Sequence, residues 1–105
     1  MASRVDGVEP DEIELGAVLS ALADPHRRQV IRDLVHDAEG AERSCTSFGL
    51  DLSKSTRSHH FKVLREAGLV HQVDRGNRSE VTLRRRDLDT RFPGLLDLIG
   101  NESAD

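Results

Sequence analysis

The stretch LSKSTRSHHFKVLREAGLV, residues 52–70, reads as one helix with its start and stop written in. Ser53 is a good N-cap residue, and Gly68 suits the position just past a helix C-terminus. Phe61 and Leu64 repeat at helical spacing and turn inward, predicting a helix over 54–67. The opposite side has no apolar residue: Ser55, His59 and Lys62 fall at i, i+4, i+7, with Ser58 beside them. The first turn is Lys54-Ser55-Thr56-Arg57-Ser58. Its small hydroxyls allow close approach to a ligand, and its free N–H groups and dipole favour a phosphate. Arg57, His59 and Lys62 add donors for phosphates or base edges.

Downstream the period drops from 3.6 to 2. Residues 70–74 and 79–84 alternate as two strands, with Val81 and Leu83 on one side of the second. Between them lies Arg75-Gly76-Asn77-Arg78, a tight hairpin turn flanked by two arginines. A two-stranded hairpin is marginal alone, so it must lean on the helices. Arg75, Asn77 and Arg78 suit a wing that lies along a DNA backbone or minor groove.

Upstream, SCTSFGL at 44–50 suggests a short helix separated by a tight turn from the helix at 54, which is the helix-turn-helix arrangement. Asp24-Pro25 is a helix start, an N-cap residue followed by proline at the first helical position. That helix runs to about Ala38, with Val30, Ile31, Leu34 and Val35 inward and Arg27, Arg28 and Arg32 outward. Residues 11–23 carry an earlier stripe of Leu15, Val18, Leu19 and Leu22. At the other end Leu88, Phe92, Leu95, Leu96 and Ile99 share one face, with Pro93 expected to kink or restart the helix. The expected organisation is a polar arm at 1–10, one domain at 11–100 and a polar tail at 101–105. The fold class is mostly α with a β-hairpin wing, a winged helix-turn-helix in the order α-α-α-α-β-β-α.

The formal net charge of the 105 residues is −4, but it is unevenly spread. From Ser53 to Arg86, nine Lys/Arg face three Asp/Glu, a net of +6, while the remainder carries six against sixteen, a net of −10. A basic block this contiguous is a footprint for phosphate binding. The single cysteine, Cys45, excludes an intrachain disulfide. No signal-peptide core or long apolar run is present, so a cytoplasmic chain with no membrane partner is expected. An enzyme does not fit. Ser58 and His59 are adjacent on a helix and point about 100° apart, and there is no glycine-rich phosphate loop.

ALADPHRRQVIRDL at 21–34, LSKSTRSHHFKVLREAGLV at 52–70 and RGNRSEVTL at 75–83 resemble the ArsR (arsenical-repressor) family of winged-helix regulators. The resemblance covers about residues 13–99. It implies a dimeric repressor that releases operator DNA on binding an effector, here unidentified. The first and last helices would form the homodimer interface, through Leu15, Val18, Leu19, Leu22, Leu95, Leu96 and Ile99. The partner would be double-stranded DNA, read by Lys54, Ser55, Thr56, Arg57, Ser58, His59 and Lys62, with Arg75, Asn77 and Arg78 on the wing. The metal-sensing motifs of the family are missing. Where members carry Cys-x-Cys, this chain has Ser44-Cys45-Thr46. Where they carry Asp-x-His with a later His and Glu, it has Asp87-Leu88-Asp89, Asp97 and Glu102. The five histidines show no ligand spacing, so no metal or cofactor is expected, and His60 is expected to brace the reading helix from below. Cys45 is the candidate for a thiol switch, giving a redox- or metal-responsive repressor as one alternative reading. A protein-binding winged-helix module is the other, because fold alone does not decide function.

Overall fold

The computed structural model describes residues 8–102 in full and residues 3–5 as backbone. Of the expected N-terminal arm, Ser3–Val5 forms strand β1, and a 3₁₀ turn occupies Pro10–Glu12. Then follow α1 (Leu15–Ala23), α2 (Pro25–His36), β2 (Arg43–Ser44), α3 (Lys54–Glu66), β3 (Val70–Asp74), β4 (Ser79–Leu83), α4 (Arg85–Arg91) and α5 (Leu95–Gly100). No helix among the described residues is long and apolar enough to cross a membrane.

The expected helix starts are made as the sequence suggests. Asp24 Oδ1 accepts from the backbone N–H of His26 (2.8 Å) and Arg27 (3.1 Å), and Pro25 opens α2. Ser53 Oγ accepts from Thr56 N–H at 3.2 Å and donates to Thr56 Oγ1 at 2.9 Å. The end of α3 is a Schellman motif: Leu69 N–H donates to Leu64 O (3.0 Å) and Gly68 N–H to Arg65 O (3.1 Å). Gly68 takes φ +89°, and a Cβ there would sit 2.7 Å from Ile13 Cγ1.

One segment departs from expectation. Residues 44–50 form no helix. Arg43 and Ser44 pair with Val81 and Glu80 as an edge strand, and a turn follows. Local polar bonds outcompete the helix there: Ser47 Oγ donates to Ser44 O (2.7 Å), and the Arg43 guanidinium donates to Ser47 O (2.8 Å) while lying 4.1 Å over the Phe48 ring. The last helix takes the second of its two expected courses and restarts. Phe92 leaves helical geometry, Pro93 lies between the pieces, and α5 restarts after Gly94.

The sheet is antiparallel in the order β1-β3-β4-β2. Thus the hairpin does lean on neighbours, two short strands as well as helices. Val18, Val30, Ile31, Leu34, Phe61, Leu64, Leu69, Val81, Leu88 and Leu96 form one core between the helices and the inner sheet face. Ile13, just after the 3₁₀ turn, is fully buried in it. Glu102, in the expected polar tail, closes the C-terminus back onto α2. It accepts from Arg28 Nε and Arg32 Nη1, each at 2.9 Å.

Candidate nucleic-acid interface

α3 is pinned to the core by Phe61 and Leu64 and by His60, only 7% exposed. His60 Nδ1 accepts from Arg27 Nη1 at 3.1 Å, while Arg27 Nε donates to Ala21 O at 2.7 Å. The expected brace therefore exists, and Arg27, read from the sequence as outward, is its other half. Burial and the nearby Arg27 guanidinium hold His60 below the usual histidine value, despite the opposing pull of Asp24.

With that side fixed, the opposite side must face out. Lys54, Ser55, Thr56, Ser58, His59 and Lys62 are all exposed. Ser55, Ser58, His59 and Lys62 form the outer stripe that helical spacing predicted. Arg57 is different. It is half-buried, because it is four residues from Phe61 and so shares the inward side of α3. It lines the cleft between α3 and the wing instead of the outer stripe.

That cleft, about 570 Å³, is bordered by Lys54, Ser58 and Lys62 from the helix and by Asn77 and Arg78 from the wing. At the wing tip Gly76 has φ +89° in the first of two tip positions, where a type II′ turn takes glycine. Arg75 N–H donates to Arg78 O at 2.8 Å across the tip. Asn77 and Arg78 are exposed, Arg78 with its side chain 59% exposed. Arg75 is instead held by two carboxylates. Its Nη2 donates to Glu42 Oε2 at 2.9 Å and its Nε to Glu80 Oε1. These hydrogen bonds raise its already high pKa. Glu80 also stands 3.8 Å from Arg78. Of the three expected wing donors, two are at hand and one must first leave its acids. Sequence reasoning counted Glu42 and Glu80 only as charge. The strand alternation that placed Val81 inward left Glu80 beside the tip, and that was the available signal.

Cys45 lies on the same cleft and is half-buried. Burial pushes its thiol up to about 11, against the smaller opposing pull of Arg57. Near neutral pH the reactive thiolate is scarce. Peroxide treatment of the reduced protein is expected to leave DNA affinity unchanged, as in Cys45→Ser. An anisotropy titration in which oxidation weakens only the wild type would show the thiol to be a switch.

The apolar positions expected at an interface divide into two sets. Val18, Leu22, Leu96 and Ile99 are buried within the chain's own core. Leu15 and Leu19 are 49% and 52% exposed, and Leu95 is half-buried. Leu98, which lies off the helical stripe and was missed for that reason, is 72% exposed. Leu19, Leu95 and Leu98 border one shallow hollow between α1 and α5.

A family described as a helix-turn-helix domain matches residues 22–73, from the end of α1 through most of β3. The uncharacterized HTH-type transcriptional regulator YceK of Bacillus subtilis (strain 168) is 37% identical over 84 residues, covering 78% of this chain and 82% of the relative. Reduced HlyU from Vibrio cholerae N16961 superposes with a TM-score of 0.63 at 25% identity, over 86% of this chain and 88% of that one. An ArsR-like transcriptional regulator from Rhodococcus sp. RHA1 shares the fold, with a TM-score of 0.58 at 24% identity over 80% of this chain and 77% of that one. A curated relative matched over most of both chains, a helix-turn-helix match and a shared winged fold agree with the geometry of α3 and its wing: the chain belongs to the HTH-type transcriptional regulators, proteins that bind DNA.

Proposed function

We propose that this regulator is a repressor that binds a pseudo-palindromic operator as a homodimer. The observation that carries the reading is the polar outer stripe of α3, set across an open cleft from the basic wing tip. A helix of this kind enters the major groove, with its N-terminal residues at the base edges. The wing then lies along the neighbouring backbone, where Arg78 supplies a phosphate contact.

The homodimer is supported by the leucines that α1 and α5 leave outside. Leu15, Leu19 and Leu98 are large, apolar and exposed on a small chain, the mark of an interaction surface. A second copy related by a twofold axis matches the symmetry of a palindromic site. It would set the two α3 helices about 34–36 Å apart, one turn of DNA. Repression is carried over from the family resemblance, and a role on DNA goes with a cytoplasmic location.

Fluorescence anisotropy tests the DNA reading. Reduced, metal-free protein is titrated onto DNA from upstream of its own gene and onto a scrambled duplex, across a salt series. Tight, salt-sensitive binding to the upstream DNA alone is expected. Equal weak binding to both duplexes would count against a sequence-specific operator.

Leu98→Glu tests the interface separately. A carboxylate buried at an apolar contact costs about 3 kcal/mol or more, roughly a 150-fold loss of dimer affinity. Sedimentation is expected to show monomers at concentrations where the wild type is dimeric. An unchanged dimer would place the interface elsewhere.

A further inference from the structure

Asp24, His26 and His60 bring one carboxylate oxygen and two imidazole nitrogens within 4.8 Å of one another. Two of the five histidines that looked scattered in the sequence thus meet in space. Asp24 and His26 stand at the start of α2, and His60 comes from the second turn of α3. The rings of His26 and His60 lie 5.8 Å apart, centroid to centroid. His60 is buried, Asp24 half-buried and His26 exposed, so the corner has both a fixed end and an open mouth.

We propose that this corner binds a first-row divalent transition metal of the zinc type, with Asp24, His26 and His60 as its protein ligands. Two imidazoles and one carboxylate are the borderline donors that Zn²⁺, Co²⁺ and Ni²⁺ accept, and water completes the coordination. Ligand atoms around such an ion stand roughly 3–3.5 Å apart, given bonds of about 2.0–2.2 Å. Binding requires the present spread to contract, and His26, whose side chain is 46% exposed, has room to turn. Asp24 Oδ1 is already taken by the two N–H groups that it caps, which leaves Oδ2 for the ion.

Arg27 competes for the site. A guanidinium only donates, so the 3.1 Å contact makes His60 Nδ1 the acceptor and puts the proton of the neutral ring on Nε2. The ion therefore takes the Nδ1 lone pair in place of Arg27. Arg27 remains anchored through Nε on Ala21 O. Metal and Arg27 are alternative partners of one ring. Arg27 is itself a first-turn residue of α2, so either partner ties α3 to the start of α2. With Arg27 the tie runs on to Ala21 O at the end of α1, and with the metal it runs to Asp24 and His26. His60 adjoins His59 of the outer stripe, so the exchange acts on the helix proposed to read DNA. That consequence rests on the proposed function, whereas metal binding itself does not.

The test is a titration of Co²⁺, followed by Zn²⁺, into the full chain stripped with chelator, without DNA. Visible absorption reports the ligand field. One Co²⁺ per chain, displaced by Zn²⁺, is expected. His26→Ala changes a surface residue and leaves the α2 cap intact; it is expected to weaken Co²⁺ binding by about 10–100-fold. Cys45→Ser should bind as the wild type does. Arg27→Gln removes the competitor and should bind more tightly. No Co²⁺ spectrum at millimolar metal, or the same affinity with and without His26, would overturn the site. Failure of metal-free protein to bind its operator would strike the DNA reading alone.

Discussion

A chain carrying Lys62→Ala and Arg78→Ala is expected to lose most of its operator affinity while keeping its fold. Both side chains are exposed and border the cleft between α3 and the wing. Neither contributes to the core, and Arg78 stands 3.8 Å from Glu80 as its only ion pair among the described residues. Each lost phosphate contact lowers the slope of log K against log salt by about 0.9. At 0.15 M salt that corresponds to roughly fivefold per contact, or about 30-fold for the pair in each chain. A dimer bound to both half-sites multiplies the loss. The measurement is anisotropy over a salt series, with circular dichroism to confirm the fold. An unchanged slope would mean that these two cations do not meet phosphates, and the cleft would then need another partner.

Gly68→Ala should be the most damaging small substitution. Two penalties combine at this residue. Its φ of +89° costs an L-residue about 1–2 kcal/mol. The new methyl would also meet Ile13 Cγ1 at 2.7 Å and Val8 Cγ2 at 3.0 Å. Ile13 is fully buried, so it has no free direction in which to yield. Overpacking of this kind costs about 1–3 kcal/mol. A loss of roughly 2–5 kcal/mol in unfolding free energy follows from the two together. Urea unfolding measures it as a lower midpoint at constant m-value. A loss below 1 kcal/mol would show that the Schellman turn tolerates a side chain and that Ile13 moves aside.

The elements legible in the sequence are those specified by near neighbours. The start of α2 needs only Asp24 and Pro25, α3 needs Ser53 at one end and Gly68 at the other, and the hairpin needs its alternation and Gly76. The outer stripe of α3 followed from the same periodicity that buried Phe61 and Leu64. What stayed hidden depends on partners distant in the chain. Strand β2 exists because Arg43 and Ser44 find β4, some 36 residues on. Arg75 looked free because Glu42 lies 33 residues before it. The cluster of Asp24, His26 and His60 was invisible for the same reason. Ile13 is a single apolar residue without a periodic neighbour, and only the tertiary structure shows it as core. Leu98 is the opposite case. Its place off the α5 stripe already implied exposure, and reading only the stripe overlooked it.

The stretch that matches the helix-turn-helix family runs from residue 22 to 73. It holds all of the outer stripe of α3, yet its interior is completed from outside those limits. Ile13 plugs the space over Gly68. Arg91 donates to the carbonyl of Ile13, and Arg84 to that of Val8 at 2.6 Å. Two arginines from beyond the wing thus clasp a segment from before α1. A fragment cut at the matched limits would carry α3 without the Ile13 and Val8 side chains that stand over Gly68. The portable unit for grafting α3 and its wing onto another protein is therefore the whole span from Val8 to Glu102, although the recognisable signature is half as long.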